Sequence, residues 1–196
     1  MTILRAGKLI AGLTICIHLG ACSLFDTREP EPPDRGDGSA FIQPDQPRDV
    51  IDNLVNAIAS LNQVNYLRCL SDLGFEYTPT NQAQNNAPEI WVSWNKQDEE
   101  IYFSNLRSSA ENFQGHQLQF SNENYSQDSG NTQLYTADYV LSVEHSRISA
   151  SVPTVATGSL RMTLSTGEDG LWAIESWTDI PDSDRFSWSN MRATFR

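Results

Sequence analysis

Apolar residues recur along this chain in two rhythms, helical up to about residue 110 and alternating after it. Val50, Ile51, Leu54, Val55, Ile58 and Leu61 share one face of a helix that Asp49 is placed to cap, with Asp52, Asn53, Asn56 and Ser60 on the wet side. A second stripe, Tyr66, Leu67, Leu70 and Leu73, predicts a short helix stopped by Gly74. Phe75 to Pro79 reads as a brief strand and Asn81 to Ala87 as a polar loop. Asn95, with Asp98 three residues on and Glu99 beside it, opens a third helix through Ile101, Tyr102 and Leu106. Trp91 and Trp94 read as closing one end of a core with their indole N–H groups paired; an aromatic ligand site is the alternative.

From His116 the period becomes two. Leu118 and Phe120 alternate with glutamines; Tyr135, Ala137, Tyr139, Leu141 and Val143 form a second apolar row, and Leu160, Met162 and Leu164 a third. Asp169-Gly170 then turns the chain into Leu171 to Trp177, so the last two strands form a hairpin. Four successive antiparallel strands with one buried face are expected. Trp188, Met191 and Phe195 add a helical turn against the sheet. Helices followed by long strands make an α+β domain, expected over residues 47–196, long enough to bury about two thirds of its unfolded surface.

Upstream, the composition changes twice. Ser23 to Gln46 is rich in Pro, Asp, Glu and Gly and reads as a disordered tether spanning on the order of 25 to 30 Å. Before it, Arg5 and Lys8 precede an apolar run, Leu9 to Leu19, that ends in Gly20-Ala21-Cys22. The run is too short to cross a bilayer, which needs about 20 apolar residues. It resembles a bacterial lipoprotein signal, which implies cleavage between Ala21 and Cys22 and a thioether-linked lipid with added acyl chains such as palmitate on Cys22. An ordinary secretory signal is the alternative. With Ser23 next to the lipidated position, the resemblance implies an outer-membrane anchor facing the periplasm or the surface.

The charge balance narrows the partners. The chain has 13 basic and 25 acidic side chains; losing residues 1–21 leaves 11 basic ones and a formal charge of −14. Such a surface repels phosphate backbones, so nucleic acid is excluded as a partner and membrane attachment falls to the lipid. Two acyl chains hold a protein firmly where one holds it marginally. Of three cysteines, Cys16 leaves with the signal and Cys22 carries the lipid. Cys69 remains without a disulfide partner and reads as a small buried apolar residue.

The element order, together with Asp169-Gly170-Leu171-Trp172-Ala173-Ile174-Glu175-Ser176-Trp177-Thr178-Asp179, resembles the NTF2-like (SnoaL-like) superfamily, in particular its uncharacterised lipoproteins. That implies a cone: N-terminal helices packed on a curved antiparallel sheet around a pocket. The fold hosts isomerases and dehydratases beside noncatalytic binding and dimerising modules. Ionisable candidates for such a pocket are His116, Asp138, Tyr139, Glu144, His145 and Glu175. By parity Asp138 and Glu144 belong to the wet face, and His145 has apolar parity at a strand end, where an exposed histidine is the plainer reading. No nucleophile elbow, phosphate-cradling loop or Cys-x-x-Cys is present, and His116 and His145 are too few for a zinc or iron site. Asp34, Asp37 and Asp45 lack the spacing of a calcium loop. No catalytic residue, metal or cofactor is therefore assigned. The expected role is an anchored, noncatalytic domain that binds a partner protein or a small apolar ligand, or forms a homodimer. A small-molecule lyase or isomerase and a structural subunit of an envelope assembly are the alternatives.

Overall fold

The structure, a computed structural model, describes residues 41–110, 112, 115–147 and 151–196. The signal, the proposed lipid site at Cys22 with its cleavage site after Ala21, and the tether up to residue 40 lie outside the described residues. Phe41 to Gln46, assigned to the tether by composition, pack on the body. Buried Asn53 of the first helix donates to Ile42 O at 2.7 Å and accepts from Ile42 N at 2.8 Å. The Arg68 guanidinium lies 3.6 Å over the Phe41 ring, and Pro44 O accepts from Trp172 N at 2.9 Å. Asn53 is thus not on the wet side of its helix; its amide replaces water for a strap that covers a sheet edge.

Helix α1, Pro47–Ala59, starts two residues before Asp49. Gln46 is its N-cap, Pro47 holds the first helical position, and Asp49 reaches back to accept from Gln46 N at 3.2 Å. Helix α2, Gln63–Arg68, is capped by Asn62 and is shorter than its stripe predicted. The chain leaves it so that Leu70 can bridge to Ile174, and Leu73 is left 80% exposed. Strand β1, Glu76–Thr78, follows. The expected polar loop contains a helix, α3, Asn81–Asn86. Its asparagines are poor helix formers, but Thr80 Oγ1 accepts from Ala83 N at 3.2 Å and Trp91 Nε1 donates to Ala83 O at 3.1 Å, which anchors the turn from outside. Helix α4, Lys96–Ser109, begins with the predicted Asn95–Asp98 capping box. Its inward face is Glu99, Tyr102, Phe103 and Leu106, whereas Ile101 points outward.

Strands β2 (Gln117–Ser129), β3 (Thr132–Ser142), β4 (Val155–Thr166) and β5 (Trp172–Pro181) follow in antiparallel succession. The curved open sheet has the order β1-β5-β4-β3-β2, with β1 parallel to β5. Two of its three register shifts reset the parity of the inward face. In β2, Asn122 and Glu123 together oppose Ala137, with Asn122 at φ 53°. In β5, Glu175 is the extra residue between Leu164↔Ile174 and Thr163↔Ser176, so that Ile174, Trp177 and Asp179 all face inward. Helix α1 lies against β2 and β5. The C-terminal helix α5, Trp188–Phe195, lies against β4 and α4. Trp188, Met191 and Phe195 are fully buried, each stabilising this docking by roughly 1.5–3 kcal/mol. Cys69 is buried as expected.

Candidate functional site

Between α4, α5 and the concave sheet face, three charged side chains lie out of water: Glu99 from α4, Asp179 from β5 and Arg192 from α5. Each is placed by the apolar period of its own element. Glu99 precedes Tyr102, Phe103 and Leu106 by three, four and seven positions, and Arg192 lies four residues after Trp188 and three before Phe195. Arg192 Nε donates to Glu99 Oε1 at 2.7 Å. Glu99 also accepts from Trp94 Nε1 at 2.8 Å and from Tyr66 Oη at 2.6 Å. Arg192 Nη2 reaches Tyr66 Oη at 3.2 Å, and its guanidinium lies 4.0 Å from the Tyr77 ring centre and 4.4 Å from that of Trp177. Burial, the largest single cause, works against the Arg192 charge, but the Glu99 carboxylate and the phenols of Tyr77, Tyr66 and Tyr102 together outweigh it and hold the guanidinium protonated.

A second knot adjoins the first. Asp179 Oδ2 accepts from Ser189 Oγ at 2.5 Å and Ser189 N at 2.7 Å, and Oδ1 accepts from Tyr139 Oη at 2.7 Å. Because the Ser189 hydroxyl spends its one proton on Asp179, Tyr77 Oη is the donor in its 2.8 Å contact with Ser189 Oγ. Tyr139 Oη in turn accepts from Trp188 N at 2.8 Å, and Trp188 Nε1 donates to Tyr102 Oη at 3.0 Å. Burial, the largest cause, raises the pKa of Tyr66, Tyr77, Tyr102 and Tyr139, so these phenols stay protonated. Chemically the carboxylates and phenols of the interior are engaged with protein partners, while Arg192 Nη1 and Trp177 Nε1 are buried donors among aromatic rings with no hydrogen-bond partner.

Of the six candidates read from the sequence, only Tyr139 belongs to this interior. Asp138 sits on the outer face, where hydrogen bonds from Ser159 and then Asn122, each 2.6 Å, hold its carboxyl below the usual range. Glu144 and Glu175 are exposed. His116 is buried between two backbone groups: Glu144 N donates to Nδ1 at 3.2 Å, which makes Nε2 the donor to Asn112 O at 2.9 Å. His145 is buried rather than exposed, because the loop after β3 folds under α5 and sets its ring 5.1 Å from Phe195. Its Nε2 meets Pro153 O at 3.2 Å. Both tryptophans ahead of α4 are buried with their N–H groups paired. Glu99, Asp179 and Arg192 were missed as site residues; their helical and alternating phases were the available signal.

Among the described residues no group of three or more His, Cys, Asp or Glu side chains is placed to hold a metal ion, and no helix is long and apolar enough to cross a membrane. Surface clefts open to solvent among the described residues include one of about 1220 Å³ between α2, the strap and the β4–β5 hairpin and another of about 500 Å³ beside β1. Neither is lined by Glu99, Asp179 or Arg192.

No family model and no curated protein matches the sequence. Solved structures match by shape. A candidate aromatic ring hydroxylase from Novosphingobium aromaticivorans aligns at TM-score 0.54 with 10% identity, over 74% of this chain and 92% of that one. A candidate scytalone dehydratase from the same organism aligns at 0.51 with 9% identity, over 67% and 78%. An NTF2-like protein from Cytophaga hutchinsonii aligns at 0.48 with 13% identity, over 69% and 98%. The fold is NTF2-like, as the element order and the terminal motif predicted; identities this low carry the fold and no chemistry.

Proposed function

We propose that this chain is an envelope lipoprotein, anchored through a lipid on Cys22, whose NTF2-like domain binds a partner at its surface without catalysing a reaction. One observation carries the noncatalytic part. The space between helices and sheet where this fold can hold a ligand is occupied by Trp188, Arg192 and Glu99, all fully buried and bonded to one another or to neighbours. A general acid or base must reach a substrate proton, and these groups are already engaged with protein. The apolar run ending at Cys22 supports the anchor.

Purification of the full chain from detergent-solubilised envelopes, with mass spectrometry, tests both parts. The expected result is a mature N-terminus bearing a diacylglyceryl cysteine and a stoichiometric protein companion. An unmodified start at residue 22, or recovery of the chain alone, overturns the corresponding part. A lyase or isomerase is the second reading, favoured by the Tyr139–Asp179 contact, a phenol and a carboxyl in apolar surroundings. It requires turnover that Asp179→Asn abolishes while the fold persists.

A further inference from the structure

The 1220 Å³ groove unites three segments distant in sequence: the strap at Phe41, helix α2 with the turn after it, and the β4–β5 hairpin. It exceeds the roughly 300–1,000 Å³ of a typical small-molecule pocket and is open to solvent, a size suited to a peptide segment. Its apolar floor is incompletely covered. Leu67 and Trp172 are half-buried, while Val64 and Leu73 are 67% and 80% exposed.

The rim has a sign. Four carboxylates line the groove, Asp72, Glu168, Asp169 and Glu175, against Arg68 and Lys96. Lys96 Nζ is held at 2.7 Å by both Asp72 Oδ1 and Leu70 O, and the Arg68 guanidinium lies over the Phe41 ring. The hairpin side is therefore uniformly negative. Glu175 stands there because it is the bulged residue of β5, which turns it away from the interior that Ile174 and Trp177 occupy. Phosphate headgroups and nucleic acid are repelled by such a wall, and a bare cation has no use for the apolar floor.

We infer that this groove is the docking site for a segment of a partner protein in which Lys or Arg side chains are interspersed with apolar ones. The apolar residues cover Leu67, Leu73 and Trp172, and the cations meet Glu168 and Glu175. This rests on the partner-binding function proposed above and names its surface and the chemistry of its occupant.

The probe is an alternating Leu–Lys peptide of about nine residues, roughly 30 Å when extended, titrated into the full-length protein in detergent. Trp172 is the half-buried indole among four buried ones, so its fluorescence reports occupancy. Saturable binding is expected, weakening about fivefold or more in Glu168→Gln/Glu175→Gln and as salt rises. A Leu–Glu peptide and a Ser–Lys peptide are expected not to bind. No binding by the Leu–Lys peptide, equal binding by the double variant, or equal binding by either control overturns the assignment. Co-purification from envelopes separates the two levels. A companion retained by the double variant overturns the groove and leaves the binding function standing; no companion on the wild-type chain overturns both.

Discussion

The Arg192 guanidinium has no exposed surface; it rests on four aromatic rings and gives its Nε proton to Glu99. Removing one member of such a pair leaves a buried charge with nothing to oppose it. Arg192→Met is expected to cost about 3–5 kcal/mol in urea unfolding, because Glu99 then keeps only Tyr66 and Trp94 as donors. Arg192→Met/Glu99→Met is expected to cost less than the sum of the single changes, since it also removes the stranded carboxylate. Additive costs would mean that the two side chains do not act as a pair. The same seclusion sets an alkaline limit. Burial pushes the Cys69 thiol up from 9.0 to about 12, and the four interior phenols are raised above 10.0 for the same reason. In the unfolded chain these groups release protons near their ordinary values, so above about pH 9 the unfolded state binds fewer protons than the native one. The urea midpoint is expected to be unaffected by these groups up to pH 9 and to fall above it. Tyrosinate absorbance at 295 nm should appear with unfolding; its appearance from all six tyrosines in a native protein at pH 10 would contradict the buried network.

Packing between elements constrains single positions as sharply as charge does. Strand β4 passes so close to β5 and to the Tyr139 ring that a Cβ on Gly158 would lie 2.7 Å from Ile180 O and 2.8 Å from Tyr139 Oη. The first obstacle is backbone and the second is the hydroxyl that links Asp179 to α5. Gly158→Ala is expected to destabilise by roughly 1–3 kcal/mol and to loosen α5 with it. Hydrogen exchange checks this: the Trp188 and Ser189 amides, which donate into this knot, should lose protection ahead of the α1 amides. Uniform loss across both helices would place the strain elsewhere.

At the scale of the whole molecule, what the sequence disclosed follows from where the physics is local. Helix α4, the four long strands and α5 were legible because apolar period, capping box and Asp-Gly turn are short-range patterns. Helix α3 was not, since Asn81 to Asn86 carries no apolar period and depends on Trp91 reaching back to Ala83. The parallel pairing of β1 with β5 was equally hidden, because it joins Tyr77 to Trp177 across the intervening chain. The candidate site failed for a different reason: Glu99, Asp179 and Arg192 stand at buried phases, but charge argued for solvent, and only the assembled interior shows that each has partners. The surplus of carboxylates, 25 acidic against 13 basic side chains, is by contrast readable at once and acts on the molecule as a whole. Among the described residues most of these charges are on the surface, where they repel one another more in the compact state than in the expanded one. Raising ionic strength from 0.01 to 0.15 M shortens the screening length from about 30 to about 8 Å. That weakens this repulsion while leaving the fully buried Arg192–Glu99 pair nearly untouched. Surface pairs such as Arg48–Asp52 and Lys96–Asp72 lose some attraction too, but each contributes at most about 1 kcal/mol. The melting temperature is therefore expected to rise with sodium chloride over this range, read by circular dichroism on the detergent-solubilised chain. A fall would mean that attractive surface pairs outweigh the net charge, and that the acidic surface is arranged in compensated clusters rather than as a field.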